Sequence, residues 1–219
     1  MRNQITDKFP MYKKIVWGFP SLVASGFWGI MSGYVTYYLT QSVLLSSAAV
    51  GMVLMATKIF DGFTDLFAGY FIDKTTTKWG KGRPYSLFAS VGWIFIILLF
   101  SVPSFFSTTG KLVYVFICSV MIESVSFTLF KCSEHVYMLR AIPNEKDKSS
   151  SIAIASVIIT YLSTVLAIVM PIAVKSIGSS SRGWTLLALI IGVPAMVLGT
   201  FRFVFIKEIV EPAVSASAK

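Results

Sequence analysis

The sequence predicts an all-α membrane protein with six transmembrane helices. Of its 219 residues, 55% are hydrophobic and only 13% are charged, whereas soluble domains carry about 25% charged residues. The mean hydropathy is +0.76. Six apolar stretches are each long enough to cross a hydrocarbon core, which needs about 20 helical residues. Because a backbone in lipid must satisfy its own hydrogen bonds, these stretches are expected to be helices.

The six predicted spans follow the apolar stretches in chain order. They cover residues 15–39, 48–72, 86–103, 112–139, 152–174 and 184–206. The remaining ends are an N-terminal segment, residues 1–14, and a C-terminal tail, residues 207–219, whose last part is predicted to be unstructured. Trp17, Trp79 and Trp184 lie near the ends of spans and are predicted to anchor the protein at the membrane interfaces.

Basic residues predict the direction in which the spans cross the membrane. Fourteen of the 19 lysines and arginines lie on one side of the predicted spans. They precede the first span, lie between the second and third or between the fourth and fifth spans, or lie at and after the end of the sixth. Only Lys111, Lys175 and Arg182 lie on the other side. Since positive residues accumulate on the cytoplasmic side, both termini are predicted to be cytoplasmic in a cell membrane. This distribution also accounts for the net charge of +9 without a nucleic-acid partner.

The sequence contains no pattern that is typical of a catalytic site or a metal site. Cys118 and Cys132 fall in one apolar stretch, and His135 is the only histidine of the chain. They form neither a disulfide framework nor a metal-ligand spacing. No nucleophile–base set or phosphate-binding loop is visible, so we expect neither an enzyme nor a cofactor.

The second span carries three ionisable residues that lipid would disfavour. Lys58, Asp61 and Asp65 are spaced i, i+3, i+7, which places them on one face of a helix. Ionisable groups in a membrane mark functional sites by default. Two readings stay open: a Lys58–Asp61 bridge that serves structure alone, or a site in which the two carboxylates bind Na⁺ or a proton.

The fourth span carries a second set of ionisable residues. Glu123, Lys131 and Glu134 fall near one helical face. Lys131 could pair with Asp65 or Asp61, in the role of a bound cation, or it could pair privately with Glu134. Glu123 has no partner on its own helix, and Glu134 and His135 are predicted to be solvated near the cytoplasmic end.

The second span and the segments around it resemble those of a known protein family. The segment 58–84 reads KIFDGFTDLFAGYFIDKTTTKWGKGRP, and YYLTQSVLLSSAAVG precedes it at 37–51. This acid-rich helix, its G-x-x-x-D motif and the basic loop after it resemble the glycoside–pentoside–hexuronide:cation symporters of the major facilitator superfamily. A weaker likeness lies around NEKDKSS at 144–150. The resemblance implies the N-terminal half of a major facilitator fold, built as two inverted three-helix repeats.

The resemblance also implies roles for individual residues. Asp61 and Asp65 match the paired carboxylates that bind the coupling cation, Na⁺ or H⁺, with Lys131, Glu123 and Lys58 as supporting candidates. The loop between the second and third spans matches the superfamily's inner gate. Its predicted gating residues are Gly69, Asp73, Lys74, Lys78, Gly80, Lys81 and Arg83.

Three positions depart from the melibiose-permease branch of this family. Ser25 and Ser156 stand where that branch places a sugar-binding acid and a sugar-contacting arginine, and Lys131 stands where it places a third cation-site acid. The galactoside site is therefore not reproduced, and the solute stays open: another glycoside, or a different molecule such as a lysolipid. The fixed charge of Lys131 favours H⁺ coupling, or none, over Na⁺.

Length is a further departure, because members of this superfamily have twelve spans. The expected partners are membrane lipid, a small-molecule solute, and a second six-helix half or a second copy of the chain. The predicted function is secondary transport of a sugar, glycoside or related solute. The alternative is a non-transporting half-transporter that acts as an assembly partner, a regulator or a remnant.

Overall fold

The computed structural model describes residues 9–208, and in this range it confirms the all-α prediction. In this range Thr77 and Gly80 form an isolated β-bridge. A 3₁₀ turn covers Arg83–Leu87, and a π-helical segment covers Met121–Phe127. The α-helices are α1 (Met11–Gly33), α2 (Val35–Gln41), α3 (Ser47–Lys74), α4 (Phe88–Leu99), α5 (Thr108–Val120), α6 (Thr128–Ala141), α7 (Glu145–Ile177) and α8 (Ser181–Phe205).

Three helical stretches of the described region are long and apolar enough to cross a membrane by themselves: Thr108–Ala141, α7 and α8. Helices α1 and α2 meet the same criterion together, as a pair bent by 42°. The stretch Arg83–Leu99 is a shorter apolar helix. Helix α3 has 28 residues, but Lys58, Asp61 and Asp65 interrupt its apolar character.

Polar side chains fix where several helices begin. Ser46, Ser107 and Ser180 each accept a backbone N–H three residues later, at the starts of α3, α5 and α8. Asn144 caps α7 through the N–H of Lys146. Such caps satisfy donors that the first helical turn leaves unpaired. The charged segment after Asn144, which the sequence suggested was a loop, is therefore the first turns of α7.

The centre of the bundle is α4, which packs against α1, α8 and the π segment. Helix α3 packs against α5, α6 and the π segment, and α7 packs mainly against α1. Small residues allow close approach: a Cβ on Gly18 would lie 3.1 Å from the Cα of Ala155 in α7. Since lipid gives apolar helices no hydrophobic reason to associate, such close contacts stabilise the packing.

Two tryptophans predicted to lie at interfaces are instead buried. Trp184 stacks on Phe100, with ring centroids 5.4 Å apart, and is only 1% exposed. Trp17 is equally buried and contacts the ring of Tyr137. Trp79 is exposed and packs edge-on against Phe203. The interfacial prediction was therefore wrong for Trp17 and Trp184, because neighbouring helices cover both rings.

The outer surfaces of α3 and α7 are largely apolar, and no other part of residues 9–208 covers them. On α3 the exposed side chains include Phe60, Phe63 and Phe67. On α7 they include Tyr161 and Ile172. Surfaces of this kind are stable against lipid or against another apolar helix surface.

Candidate functional site

The two aspartates of α3 meet a hydroxyl from the neighbouring helix. Thr128, the first residue of α6, has its Oγ1 atom 2.9 Å from Oδ1 of Asp65 and 3.4 Å from Oδ1 of Asp61. The sequence had not singled out Thr128. A hydroxyl carries one proton, so it can donate to one of these carboxylates at a time. Asp61, Asp65 and Thr128 therefore form an oxygen-rich cluster that retains negative charge.

Lys58 lies beside this cluster and pairs with Glu123. Its ammonium contacts Oε2 of Glu123 and lies 4.0 Å from Oδ2 of Asp61. Glu123, which had no partner on its own helix, thus finds one on α3. Lys58, Asp61, Asp65 and Glu123 carry three acidic groups and one basic group. Even with the bridge formed, the formal charge of these four groups is −2, three acids against one base, and one bound Na⁺ or proton would reduce it to −1.

The oxygen donors suit a hard ion better than a transition metal. Carboxylate and hydroxyl oxygens are typical ligands of hard cations, while imidazole and thiolate select softer metals. Within residues 9–208, no three His, Cys, Asp or Glu side chains group closely enough to hold a metal. Asp61 and Asp65 with Thr128 could bind a single Na⁺ or a proton.

A π-helical segment positions Glu123 and Thr128. Residues Met121–Phe127 follow the wider i→i+5 pattern, and Thr128 Oγ1 also lies 3.4 Å from the carbonyl oxygen of Glu123. A π turn rotates less per residue than an α turn, so it changes which side chains share a face. The sequence placed Glu123, Lys131 and Glu134 near one face, whereas the structure divides them between two clusters.

The second cluster lies inside the bundle, around Arg202 of α8. The Arg202 side chain is fully buried, and its Nη2 atom lies 2.9 Å from Oε1 of Glu134 and 2.7 Å from Oγ of Ser21. Its guanidinium also donates to the Trp17 carbonyl and lies 4.1 Å from the Trp17 ring centroid. Glu134, predicted to be solvated, is therefore a partner of a buried arginine, and that prediction was wrong. His135 is exposed.

Lys131 belongs to the second cluster as well. Its Nζ atom lies 3.5 Å from Oε2 of Glu134, one helical turn away. Of the two partners left open by the sequence, the structure favours Glu134 over Asp61 or Asp65. Lys58 is the basic residue placed beside the aspartates.

A carboxylate from the end of the described chain holds the predicted gating loop. Glu208 accepts the backbone N–H groups of Lys81 (3.1 Å), Gly82 (2.8 Å) and Arg83 (2.6 Å). Arg140 lies 3.4 Å from the same carboxylate, whose side chain is only 6% exposed. Successive N–H groups of this kind form an anion-binding concavity. Glu208, the second residue of the predicted tail 207–219, is thus packed against the bundle, whereas Lys207 is exposed. The part of the tail predicted to be unstructured lies outside the described residues.

Other loop residues reach the ends of α3 and α8. Arg83 donates from Nε and Nη2 to the carbonyl of Phe203, in the last turn of α8. Lys81 Nζ lies 2.9 Å from the main-chain oxygen of Asp73, so this contact involves the Asp73 carbonyl and not its carboxylate. Lys74 and Lys78 lie over the neighbouring rings of Tyr70 and Trp79.

The three glycines of the gating prediction differ in role. Gly80 has φ +112°, a value that favours glycine, and Gly82 packs so closely that an added Cβ would lie 2.6 Å from Cβ of Tyr137. Gly69 lies inside α3 and makes no turn. Open space also surrounds Gly62 and Gly69, so no helix of the described region uses the close approach they permit.

The two serines compared with a sugar site have surroundings of their own. Ser25 lines a cavity of about 230 Å³ between α1, α7 and α8. Ser156 is exposed, and its hydroxyl donates to the carbonyl of Ile152 in its own helix.

Comparison with known proteins shows a clear relationship. Residues 16–218 match the family model described as MFS/sugar transport protein. The chain is 30% identical to an isoprimeverose transporter of Lactiplantibacillus pentosus over 83% of its own length and 39% of that protein. It is 26% identical to an uncharacterized symporter of Bacillus subtilis over 95% of its own length and 46% of that protein. A shorter segment, 36% of the chain, is 38% identical to 18% of a glucuronide carrier protein homolog of Escherichia coli. The chain thus spans less than half the length of the first two relatives.

Proposed function

The chain belongs to the MFS/sugar transport protein family, and we propose that it forms the N-terminal half of a cation- or proton-coupled symporter for a sugar, glycoside or related solute. The multi-pass membrane character and the resemblance to sugar symporters follow from the family and the apolar helices. The coupling ion, the solute and the second half are parts of the proposal. The main observation in support of ion coupling is that Asp61 and Asp65 lie within hydrogen-bond distance of the same Thr128 hydroxyl, on a helix whose other exposed residues are largely apolar.

The proposal assigns six spans to the described helices. They are the bent α1–α2 pair, α3, Arg83–Leu99, Thr108–Ala141, α7 and α8, organised as two inverted three-helix repeats. The basic-residue distribution supports a cell-membrane orientation with both termini in the cytoplasm.

A second half would cover the polar face that this chain leaves open. Lys58 is half exposed in its side chain, and Asp65 is also exposed, although both lie within the α3 helix. Charged groups facing lipid are costly, so this face is expected to border a water-filled path or another protein surface. A second six-helix half, or a second copy of the chain, would enclose such a path between two bundles.

In this mechanism the two aspartates alternate between a partly neutralised state, with one cation or proton bound, and a fully charged state. When a cation or proton occupies them, the cluster becomes compatible with a closed, water-free path. When it leaves, repulsion between the carboxylates favours the open state that readmits water. The rocking of one half against the other then couples ion movement to solute movement.

Uptake into proteoliposomes tests the proposal. The full chain would be reconstituted alone and together with a candidate second half, with inward Na⁺ or H⁺ gradients and radiolabelled isoprimeverose, xylose or methyl glucoside as probes. Accumulation that requires a gradient supports symport. Absence of accumulation for every probe, gradient and pairing would instead favour the non-transporting alternative.

A further inference from the structure

A cleft opens between α7 and α8, with α1 as its floor. Both helices pack against α1, but they contact each other at few points. The cavity of about 230 Å³ between them is lined by Gly29 of α1, by Ser163 and Ala167 of α7 and by Ile191 of α8. Small side chains leave this space open, and a Cβ added to Gly29 would meet no described atom within 4 Å. Small-molecule sites usually have about 300–1,000 Å³, so the cleft suits a slender group better than a whole solute.

Apolar side chains line the cleft and continue outside it. Leu166 and Met170 line the cavity, while the neighbouring Ile168 of α7 and Ile190 and Val193 of α8 are exposed. In a bilayer, hydrophobicity gives no reason to exchange one apolar neighbour for another, so van der Waals packing decides the contacts. A hydrocarbon chain that enters a void gives its lining atoms partners that they otherwise lack. The cleft therefore matches a lipid acyl chain.

A buried hydrogen-bond donor lies at one end of the cleft. Trp184 is 1% exposed, and its indole N–H has no hydrogen-bond partner among residues 9–208. The Trp184 ring lines a small extension of about 10 Å³, and Ile30, Met170 and Ile191 line both this extension and the main cavity. A space of this size holds about one water-sized oxygen atom. Because a buried donor without a partner is unfavourable, a carbonyl oxygen from a lipid ester would complete the site.

Two basic residues lie at the same end of the two helices. Lys175 is in the last turn of α7 and Arg182 is the second residue of α8, and both are exposed. They are two of the three basic residues assigned to the outer side of the membrane. No Asp or Glu occurs between Asp147 and Glu208 in the sequence. A lipid phosphate at the outer surface would therefore meet positive charge without a competing carboxylate from α7 or α8.

The depth of the cleft matches one leaflet. Ser163 lies fourteen residues before Ile177, the end of α7, which corresponds to about 21 Å of helix. One leaflet contributes about half of a hydrocarbon core of about 30 Å. The cleft therefore runs from the outer surface toward the middle of the bilayer, along the path of an outer-leaflet chain.

We propose that this cleft binds one acyl chain of an outer-leaflet phospholipid, with an ester carbonyl at the Trp184 N–H and the phosphate beside Lys175 and Arg182. The bound chain fills the gap between α7 and α8 and links both helices to α1. The inference goes beyond the transport proposal, because it assigns a lipid and not a solute. It uses the proposed membrane orientation but not the chemistry of Asp61 and Asp65.

Native mass spectrometry of the full chain, titrated with lipid in detergent micelles, tests the proposal. The probes are dioleoyl phosphatidylglycerol and its diether analogue, which has the same headgroup and chains but no ester carbonyl. We expect the ester lipid to bind about three- to tenfold more tightly, which is the contribution of one hydrogen bond. Trp184→Phe keeps an aromatic ring and should remove this preference. Equal binding of the two lipids to the unmodified chain would overturn the inference.

A cleft-filling variant locates the acyl chain. Ala167→Leu narrows the cleft, whereas Ala153→Leu makes the same change at an exposed position of α7 that does not line it. We expect Ala167→Leu to weaken binding of the ester lipid by at least about tenfold and Ala153→Leu to leave it unchanged. Equal affinities of the two variants would mean that the lipid binds the outer surface only, and would overturn the inference. Size-exclusion profiles verify that each variant is folded.

A charge variant tests the position of the phosphate. Lys175→Gln with Arg182→Gln should weaken binding of both lipids, whereas Lys111→Gln removes the third basic residue of the outer side and should not. An effect of Lys111→Gln as large as that of the double variant would contradict the assigned position. These measurements need neither a gradient nor a second half. Absence of solute accumulation in proteoliposomes would therefore reject transport and leave the lipid site standing, and loss of the Ala167 effect would do the reverse.

Discussion

Arg202 of α8 and Glu134 of α6 form an ion pair of 2.9 Å in the interior of the bundle. The arginine is fully buried, and the glutamate also accepts a hydrogen bond of 2.5 Å from Ser21 of α1. Three helices are therefore joined by one carboxylate. Because a buried charge without its partner is costly, removing either partner alone is expected to destabilise the bundle strongly.

Removing one member of the Arg202–Glu134 pair should destabilise the protein by about 3–5 kcal/mol. Glu134→Leu leaves the buried guanidinium without its carboxylate, and Arg202→Leu leaves the carboxylate with Lys131 at 3.5 Å as its charged partner. The double variant removes both charges and should lose less stability than the two single losses added together. Thermal unfolding in detergent provides the measurement, and additive losses would contradict a direct pair.

Asp61→Asn should abolish gradient-driven accumulation of solute while leaving the protein folded and inserted. The amide cannot bind or release a proton and cannot balance a cation, so the cluster loses its exchangeable charge. Glu145→Gln is the matched control, because that carboxylate is 83% exposed at the start of α7. Accumulation by Asp61→Asn at the level of the control would reject the coupling role.

Lys58 should influence cation affinity more than Lys131 does. Lys58 lies 4.0 Å from Asp61, whereas Lys131 is paired with Glu134. Two unit charges 4 Å apart interact with an energy of about 1 kcal/mol in water and about 4 kcal/mol at an effective dielectric constant of 20. Removing the Lys58 charge should therefore raise apparent cation affinity by roughly tenfold.

The variant for this measurement is Lys58→Met with Glu123 unchanged, which removes one positive charge beside Asp61. The double variant Lys58→Met with Glu123→Gln removes an ion pair without changing the net charge, so it should shift cation affinity less. The control for the single variant is Lys131→Met with Glu134 unchanged. The dependence of uptake on Na⁺ and on pH would be measured for all three. A larger change in the Lys131 variant would restore the earlier hypothesis that Lys131 substitutes for the ion.

Thr128→Val should weaken the cation cluster, while Thr128→Ser should largely preserve it. Valine has nearly the shape of threonine but lacks the oxygen that lies 2.9 Å from Asp65. Serine keeps that oxygen. We expect the cation concentration for half-maximal uptake to change by several-fold in the valine variant alone, and equal values in the two variants would contradict the ligand role.

Glu208→Gln should loosen the predicted gating loop. The substitution weakens the acceptor of three backbone N–H groups and removes the charge that faces Arg140. Trypsin cleavage after Lys78 or Lys81 in inside-out vesicles should accelerate, with Glu145→Gln again as the control. Identical cleavage rates in the two variants would show that the carboxylate does not hold the loop.

The sequence alone determined the class of protein and much of the candidate site. Apolar stretches of sufficient length made the helices, and the spacing of Lys58, Asp61 and Asp65 placed them on one face. The GKGRP segment and the acid-rich helix indicated the family that the comparisons confirmed. These properties are local: length, composition and helical period depend on residues close together in the chain.

Only the tertiary structure decided which side chains meet. Periodicity defines a face of a helix but not the helix toward which that face turns, so it could not predict Lys58 with Glu123 or Glu134 with Arg202. The π segment altered the rotation between Glu123 and Lys131, and Thr128 reached the aspartates as a result. Trp17 and Trp184 resembled interfacial residues by position, but other helices cover them and they are buried. Which side chains contact each other depends on how the helices pack in three dimensions, and a local sequence pattern does not contain that information.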